Sequence, residues 1–366
     1  MSNPKRKMST MRKVDSVTPI DGADRIEAVH VDGWTVVDQK GLWHAGDYCV
    51  FYEIDSFLPT NDDRYRFLAQ FGEKTMMVYE TPVVGHVLKT RRLRGEWSQG
   101  LLLKPEVALP GVPESAYESM YERGACLDGP TLAREYVQDN RLASIGFTGK
   151  YDPFVAPRTD AERVQNIDNH TFELVKRTLY FASVKVDGTS TTICYDPRVN
   201  RVRCFSHNNE YDLDEPGIGM TTANAAKRQG IWQWCEEHPG ITVQAELCGP
   251  KIQNNRLKLQ HYMLFVFSMW DMERRCYLDP HTYPGIATHC VPEYKIDLTG
   301  MTRDGLIAEI DGIKGNVTQG CLDEGVVFHV LDRGDLDDTE WLQLRIVLRS
   351  TMQVKVISNR YLLKAS

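Results

Sequence analysis

No apolar run in the 366-residue chain approaches the ~20 residues that a membrane-spanning helix needs. The start, Met1-Ser2-Asn3-Pro4-Lys5-Arg6-Lys7, lacks the apolar core of a secretory signal. Both absences predict an intracellular protein with no membrane partner. Lys5-Arg6-Lys7 reads either as a nuclear address or as a polar tail, so cytoplasm and nucleus both stay open. There are nine cysteines but no CxxC pair and no Cys/His cluster at zinc spacing, which argues against a disulfide framework or a zinc site and predicts reduced core thiols. Surplus positive charge is lacking too: 43 Lys and Arg stand against 50 Asp and Glu, a net charge of −7. Such a balance disfavours indiscriminate nucleic-acid binding, which rests on neutralising phosphates. Internal repeats and low-complexity segments are absent.

What is present is an ordinary globular composition, 42% hydrophobic, in a chain long enough for two cores. Short alternating segments at Ile26–Val31, Trp34–Val37, Tyr48–Tyr52, Val83–Leu88 and Leu101–Leu103 predict a small β-barrel. Pro105 to Ser115 loosens the chain, a helical patch covers Pro130 to Ser144, and the domain boundary is placed at residue 130. Beyond it strands outnumber helices. The clearest helices are Thr221 to Glu237 and Thr302 to Ile313, each with an apolar stripe.

The chemistry concentrates in Lys185-Val186-Asp187-Gly188, directly after the apolar run Leu179–Val184. A lysine where a buried strand meets a turn is unusual. It is a nucleophile only as the neutral amine, and an ordinary pKa of about 10.4 must be lowered by burial, another cation or a metal. Asp187 is expected to point away from Lys185, toward a metal or a ribose, and Gly188 to let the backbone approach a phosphate or sugar. KxDG alone also fits an ordinary strand end with an Asp-Gly turn.

Four later segments keep company with it. Val243–Leu247 carries Glu246 and runs into the polar turn Cys248–Asn255. Leu264–Phe267 offers Phe265 and Phe267 on one face, as core or as a surface for a purine. Asp323–Phe328 places Glu324 at the mouth of an apolar strand. Gln353–Asn359 holds Lys355 on one face with Gln353 and Ile357.

In this order the five elements resemble the covalent nucleotidyltransferases, namely ATP-dependent RNA ligases, DNA ligases and capping enzymes. The likeness is closest to RNA ligases of the family 5 type. Arg158–Asn166, Glu246–Asn254 and Val354–Leu362 carry that narrower match. The resemblance implies an α+β fold: an OB-like, nucleic-acid-binding β-barrel over 1–130, then a nucleotidyltransferase domain with an antiparallel, ATP-grasp-like sheet over 131–366. It implies ATP-dependent sealing of 3′-OH/5′-phosphate nicks in duplex RNA or an RNA/DNA hybrid, by a monomer. Lys185 would carry AMP, with Glu246, Glu324, Lys355 and Arg163 as its catalytic company. Val184, Gly188, Phe265, Phe267 and Lys355 would contact the nucleotide, and Asp187, Glu246 and Glu324 would surround Mg²⁺ or Mn²⁺. Two departures stand out. Gln353-Val354-Lys355 replaces the usual Lys-x-Lys, and Ser206-His207-Asn208 replaces Ser-Arg-Asn.

Lys89, Arg91, Arg92 and Arg94 crowd beside Trp97, which suits an RNA backbone next to a stacking surface and equally suits a solvated hairpin. A capping guanylyltransferase or DNA ligase is disfavoured because the barrel comes first. An end-binding protein with an inactive ligase domain is the reading that Gln353 and His207 would favour.

Overall fold

A computed structural model describes residues 6–79, 81–136 and 146–363. The chain divides into two compact units, one within residues 1–140 and 362–366 and the other within 141–361. No helix among the described residues is long and apolar enough to cross a membrane.

In the N-terminal unit, Tyr48–Tyr52 pairs antiparallel with Ser9–Lys13 on one side and Leu101–Leu103 on the other. Ser16–Pro19, Ile26–Val31 and Trp34–Gln39 form a meander whose tight turn, Asp32-Gly33, has Asp32 at φ 52°, the left-handed geometry a two-residue hairpin loop requires. A further sheet runs Arg134–Glu135, Ser56–Pro59, Thr81–Val87, Lys74–Val78. Val29, Val31, Trp34, Val36 and Phe51 fill one core, and Met8, Met11, Val50, Tyr52 and Tyr65 another.

The expected strands occur here, with Trp34–Gln39 longer than foreseen and others added, among them Ser9–Lys13 and the hairpin Arg91–Leu93/Glu96–Ser98. Pro105 to Ser115 is not merely loose: Pro105 sits at the first helical position, where its fixed φ suits a helix, and starts Pro105–Ala108. Of the helical patch expected over 130–144, only Asp128–Thr131 forms among the described residues. It stops at Leu132, in the left-handed region, and residues 137–145 lie outside the described residues.

The second unit is built on two sheets. One runs Glu162–Arg163, Gln353–Ile357, Gly325–Asp332, Leu179–Lys185, parallel at its first junction and antiparallel at the others. The other is antiparallel, in the order Phe147–Lys150, Asn209–Tyr211, Arg201–Phe205, Thr189–Asp196, Ile241–Cys248, Met263–Asp271, Cys276–Leu278. The chain crosses between them at Val186-Asp187-Gly188.

Each sheet buries one face under helices. Phe172, Leu174, Leu306, Ile310, Leu344 and Leu348 pack on Ala182, Val326, Phe328 and Val356. Ala225, Ala226, Ile231 and Trp234 pack on Ile193, Val243, Ala245 and Val266. Local signals set the ends: Asp168 accepts from the Thr171 amide at the start of Asn169–Arg177, and Asp337 and Glu340 form a capping box on Asp338–Leu348. The helix expected over Thr221–Glu237 is instead two, Ile218–Arg228 and Ile231–Glu237, because Gly230 takes φ 73° between them. The next helix runs Arg303–Ile310 with Thr302 as its cap and ends before Gly312, at φ 82°.

A charge cluster holds the outer part of the second sheet. Arg203 reaches Asp152 and Asp196, each at 2.8 Å, and Glu210 at 2.6 Å, while Asp196 is fully buried. Burial alone would raise the Asp196 carboxyl, but hydrogen bonds from Arg198 and Arg203 outweigh it and hold it well below the ordinary range. Arg203→Ala should therefore cost about 1.5–3 kcal/mol in urea unfolding, since Asp196 and Asp152 keep Arg198 and Glu210 keeps Arg201 but each loses a charge-assisted hydrogen bond. A depressed folded pKa gives stability that is present above the unfolded value of about 3.9 and lost as pH falls through the folded one. Wild type should lose stability on acidification, and an Asp196→Asn variant should lose less of it over the same range.

Candidate active site

Strand alternation sorts the four-stranded sheet into a helix-covered apolar face and a polar one. On the polar face the register sets Lys185 opposite Gly325 and Ile357, then Ser183 opposite Val327 and Lys355, then Phe181 opposite His329 and Gln353. Arg163 lies in register with Lys355 on the outer strand. This face borders a cavity of about 230 Å³, lined also by Thr159, Ala161, Val186, Ser190, His207, Glu246, Phe267 and Val291. Val184 borders it as well, with its amide donated to the Pro292 carbonyl at 2.9 Å.

Lys185 is the last residue of its strand, and its Nζ donates to Glu324 Oε2 at 2.6 Å. Glu246, from the second sheet, accepts from the Gly188 amide at 3.2 Å through Oε1. Asp187 accepts from the Tyr361 hydroxyl at 2.6 Å through Oδ2. The site thus draws on both sheets, with the Lys185–Gly188 segment at the join.

The geometry bears on two expectations. Asp187, in the crossover that follows the strand, lies close enough for its charge to act on Lys185. Gly188 is also constrained by its neighbouring strand. A Cβ there would collide with the Leu247 carbonyl and lie 2.7 Å from Cys248 Sγ. Gly325 is constrained likewise, by the Val356 carbonyl.

Electrostatics also run against the expected direction. Burial pulls the Lys185 pKa down, but Glu324, Glu246 and Asp187 together outweigh it and hold the ammonium above its ordinary value. Glu246 is pushed up to about 8 by burial, with Glu324 and Asp187 adding and Lys185 opposing. Burial, then Glu324, raises Asp187 as well, against the Tyr361 hydrogen bond. Three carboxylates therefore share one lysine.

That donor set, hard oxygens carrying more negative charge than their single cation offsets, fits Mg²⁺ or Mn²⁺. Among the described residues no three side chains form a cage for a metal unaided. A cation held by Asp187, Glu246 or Glu324 would complete its shell with water or phosphate oxygens, as Mg²⁺ characteristically does.

The other predicted residues separate into groups. Lys355 and Phe267 line the cavity; Arg163, Phe265, Asp187 and Glu324 do not. Phe265 and Phe267 share a face and pack on Val186, Cys248, Leu257 and Val291, so core and lining roles combine. Both departures border the cavity: Gln353 is buried, and His207 Nε2 lies 3.5 Å from Asp160. In the N-terminal unit, Arg91, Arg92 and Arg94 are exposed on a hairpin, Arg92 stacks over Trp97 at 5.5 Å, and Lys89 pairs with Asp55 at 3.2 Å.

Sequence reasoning does not single out Ser183, His329 or Tyr361. Ser183 Oγ and His329 Nε2 are hydrogen-bonded at 2.9 Å, and burial, reinforced by His281, pushes His329 down to about 3 and keeps it neutral. Alternation from Lys185 points to Ser183, and alternation from Gly325, its register partner, points to His329. Tyr361 falls in the stretch Val354–Leu362 that carries the family likeness, but it lies 174 residues from its partner and nothing beside it names that partner.

Residues 8–105 match the family model of an OB-fold domain, and residues 178–342 match that of RNA ligase. Among solved structures, a ligand-free variant of a Naegleria gruberi RNA ligase is 28% identical, with a TM-score of 0.77, covering 98% of this chain and 99% of that one. The same ligase with pyrophosphate gives a TM-score of 0.76 at the same identity and coverage. A variant with AMP and manganese gives 0.77, also at 28% identity, covering 98% of this chain and 99% of that one. No curated protein matches in a sequence comparison.

Because Glu324 is the strongest charge raising Lys185, Glu324→Gln should move the lysine's titration to lower pH. Labelling with a small amine-acylating reagent, followed by peptide mass analysis, should reach half its maximum at Lys185 at a lower pH than in wild type. An unchanged profile would show that the 2.6 Å hydrogen bond does not govern the amine.

Proposed function

The chain is an ATP-dependent RNA ligase with an OB-fold domain ahead of its ligase domain, and on that premise we propose that it seals 3′-OH/5′-phosphate nicks in duplex RNA or an RNA/DNA hybrid, as a monomer. The observation that carries the reading is Lys185 Nζ, at the edge of a cavity of about 230 Å³ and hydrogen-bonded to Glu324.

In the first step Nζ attacks the α-phosphate of ATP, a P–N bond forms and pyrophosphate leaves. Nζ must first give up its proton, and Glu324 Oε2, 2.6 Å away, is the acceptor in place. A divalent ion bound among Asp187, Glu246 and Glu324 supplies charge neutralisation at the phosphate and, by offsetting the carboxylates, favours the neutral amine. In the second step a 5′-phosphate oxygen displaces lysine from the α-phosphorus, breaking the P–N bond. In the third the 3′-OH attacks that 5′-phosphate, loses its proton and expels AMP.

Positioning supplies the rest. Lys355, one register step from Lys185 on the same face, is placed to meet a phosphate on that nucleotide, with Arg163 beside it. Phe267 and Val327 both line the cavity, a pair of apolar surfaces suited to a purine ring. Val184 borders the same space. Gln353 in place of a lysine leaves Lys355 as the cation of its strand at the cavity, so phosphate binding falls more heavily on that one residue.

Incubation with α-labelled ATP and Mn²⁺ should label Lys185 in wild type. Lys185→Ala and Lys185→Arg should both remain folded and unlabelled, Arg because it stays protonated. Label on either variant would sink the assignment of the nucleophile. Wild type that binds nicked RNA but takes no label from ATP, GTP or NAD would instead be an end-binding protein.

Neutralising Arg91, Arg92 and Arg94 together should weaken RNA binding and lower its salt slope, by roughly 0.7–0.9 for each phosphate no longer neutralised. An unchanged slope would assign the hairpin to solvent.

A further inference from the structure

The four residues after the last strand, Ser358–Tyr361, reach more of the site than any sequence motif suggests. The Ser358 amide donates to the Glu324 carbonyl at 2.9 Å. Ser358 Oγ accepts from the Gly312 amide at 2.9 Å and donates to Asp311 Oδ1 at 3.1 Å, and the Arg360 amide donates to that same oxygen at 2.9 Å. Tyr361, 5% exposed, donates its hydroxyl to Asp187 Oδ2. On its other side Arg256, which follows the turn Cys248–Asn255, donates to the Tyr361 carbonyl at 3.1 Å and lays its guanidinium 4.3 Å from the ring centroid.

That turn is itself held in costly backbone: Lys251, Gln253, Asn254 and Asn255 all have positive φ. One short segment therefore touches the backbone of Glu324, the side chain of Asp187 and the exit of the turn that follows Glu246.

We propose that Ser358–Tyr361 is a clasp that positions the acidic groups around Lys185, and that the Tyr361 hydroxyl is its working contact, a positioning residue acting through Asp187. By engaging Oδ2, the hydroxyl fixes the rotation of the carboxylate and leaves Oδ1 for the ligand. Without that bond the half-buried carboxylate, close to Glu324, would rotate away from its like-charged neighbour. Groups that orient a metal- or phosphate-facing carboxylate typically matter by about 10–100-fold in affinity or rate. The clasp rests on the ligase reading for its consequence but not for its geometry.

Tyr361→Phe removes one oxygen and keeps the ring under Arg256. In a Lys185→Ala background, where no covalent step can occur, it should weaken calorimetric binding of ATP in the presence of Mn²⁺ by about 10-fold. In the otherwise wild-type enzyme it should slow lysyl-adenylate formation at saturating ATP by about 10-fold, raise the Mn²⁺ concentration for half-maximal rate, and leave the thermal midpoint in place. Added to Asp187→Asn it should cost less, since the amide oxygen that remains is a weaker acceptor than the carboxylate. Arg256→Gln should give a smaller loss that vanishes in the Tyr361→Phe background.

Wild-type Mn²⁺ dependence in Tyr361→Phe, or equal losses with and without Asp187→Asn, would overturn the clasp. Should Tyr361→Phe lower the thermal midpoint, the Asp187→Asn comparison still separates positioning from folding. Absence of label from wild type would count against the ligase reading alone, since the binding measurement needs no turnover.

Discussion

The interaction on which the second unit's chemistry turns is the 2.6 Å hydrogen bond between Lys185 and Glu324. It joins the end of one strand to the residue just ahead of its antiparallel neighbour, so the register of Leu179–Lys185 on Gly325–Asp332 decides whether it exists. A slip of one residue would turn Lys185 to the helix-covered face. Two unit charges about 4 Å apart attract by about 4 kcal/mol where the effective dielectric is about 20. Glu324 in contact, with the charges of Glu246 and Asp187 adding, outweighs the desolvation of a single amine, which is why the lysine is held protonated.

That view explains the mixture of tight and loose packing. Gly188 and Gly325 let strands approach so closely that a methyl group would not fit, and they lie close in the chain to Lys185 and Glu324. The cavity itself is lined by short side chains such as Ser183, Ser190, Thr159 and Ala161, leaving room for a ligand. Rigid walls made by closely packed strands, and an interior made by small residues, separate the task of holding the lysine from that of admitting its partner.

Much of this is legible in the chain because the chemistry falls at strand ends. Apolar runs before Lys185 and after Glu324 announce the strands, and alternation places Gln353 and Lys355 on one face. The seven-stranded sheet is less legible. Thr189–Asp196 and Arg201–Phe205 alternate weakly, since residues such as Thr191, Thr192 and Asp196 are buried through hydrogen bonds and ion pairs rather than by being apolar. Helix limits fail where one glycine, Gly230, breaks a continuous apolar pattern. Tyr361 is illegible for a different reason: its role depends on where Asp187 falls after folding, and nothing beside it in the chain records that.

The strand Gln353–Ile357 does not close its sheet from the edge; it lies between Glu162–Arg163 and Gly325–Asp332. During synthesis, residue 185 therefore emerges long before the strand that completes the sheet beside it. Lys185 and Glu324 are 139 residues apart, and Asp187 and Tyr361 are 174 apart, so closing these loops is a late and slow event. A nascent or clipped chain lacking that strand would carry Lys185 without Lys355 near it or Tyr361 on Asp187, so the cluster exists only once the end of the chain is in place.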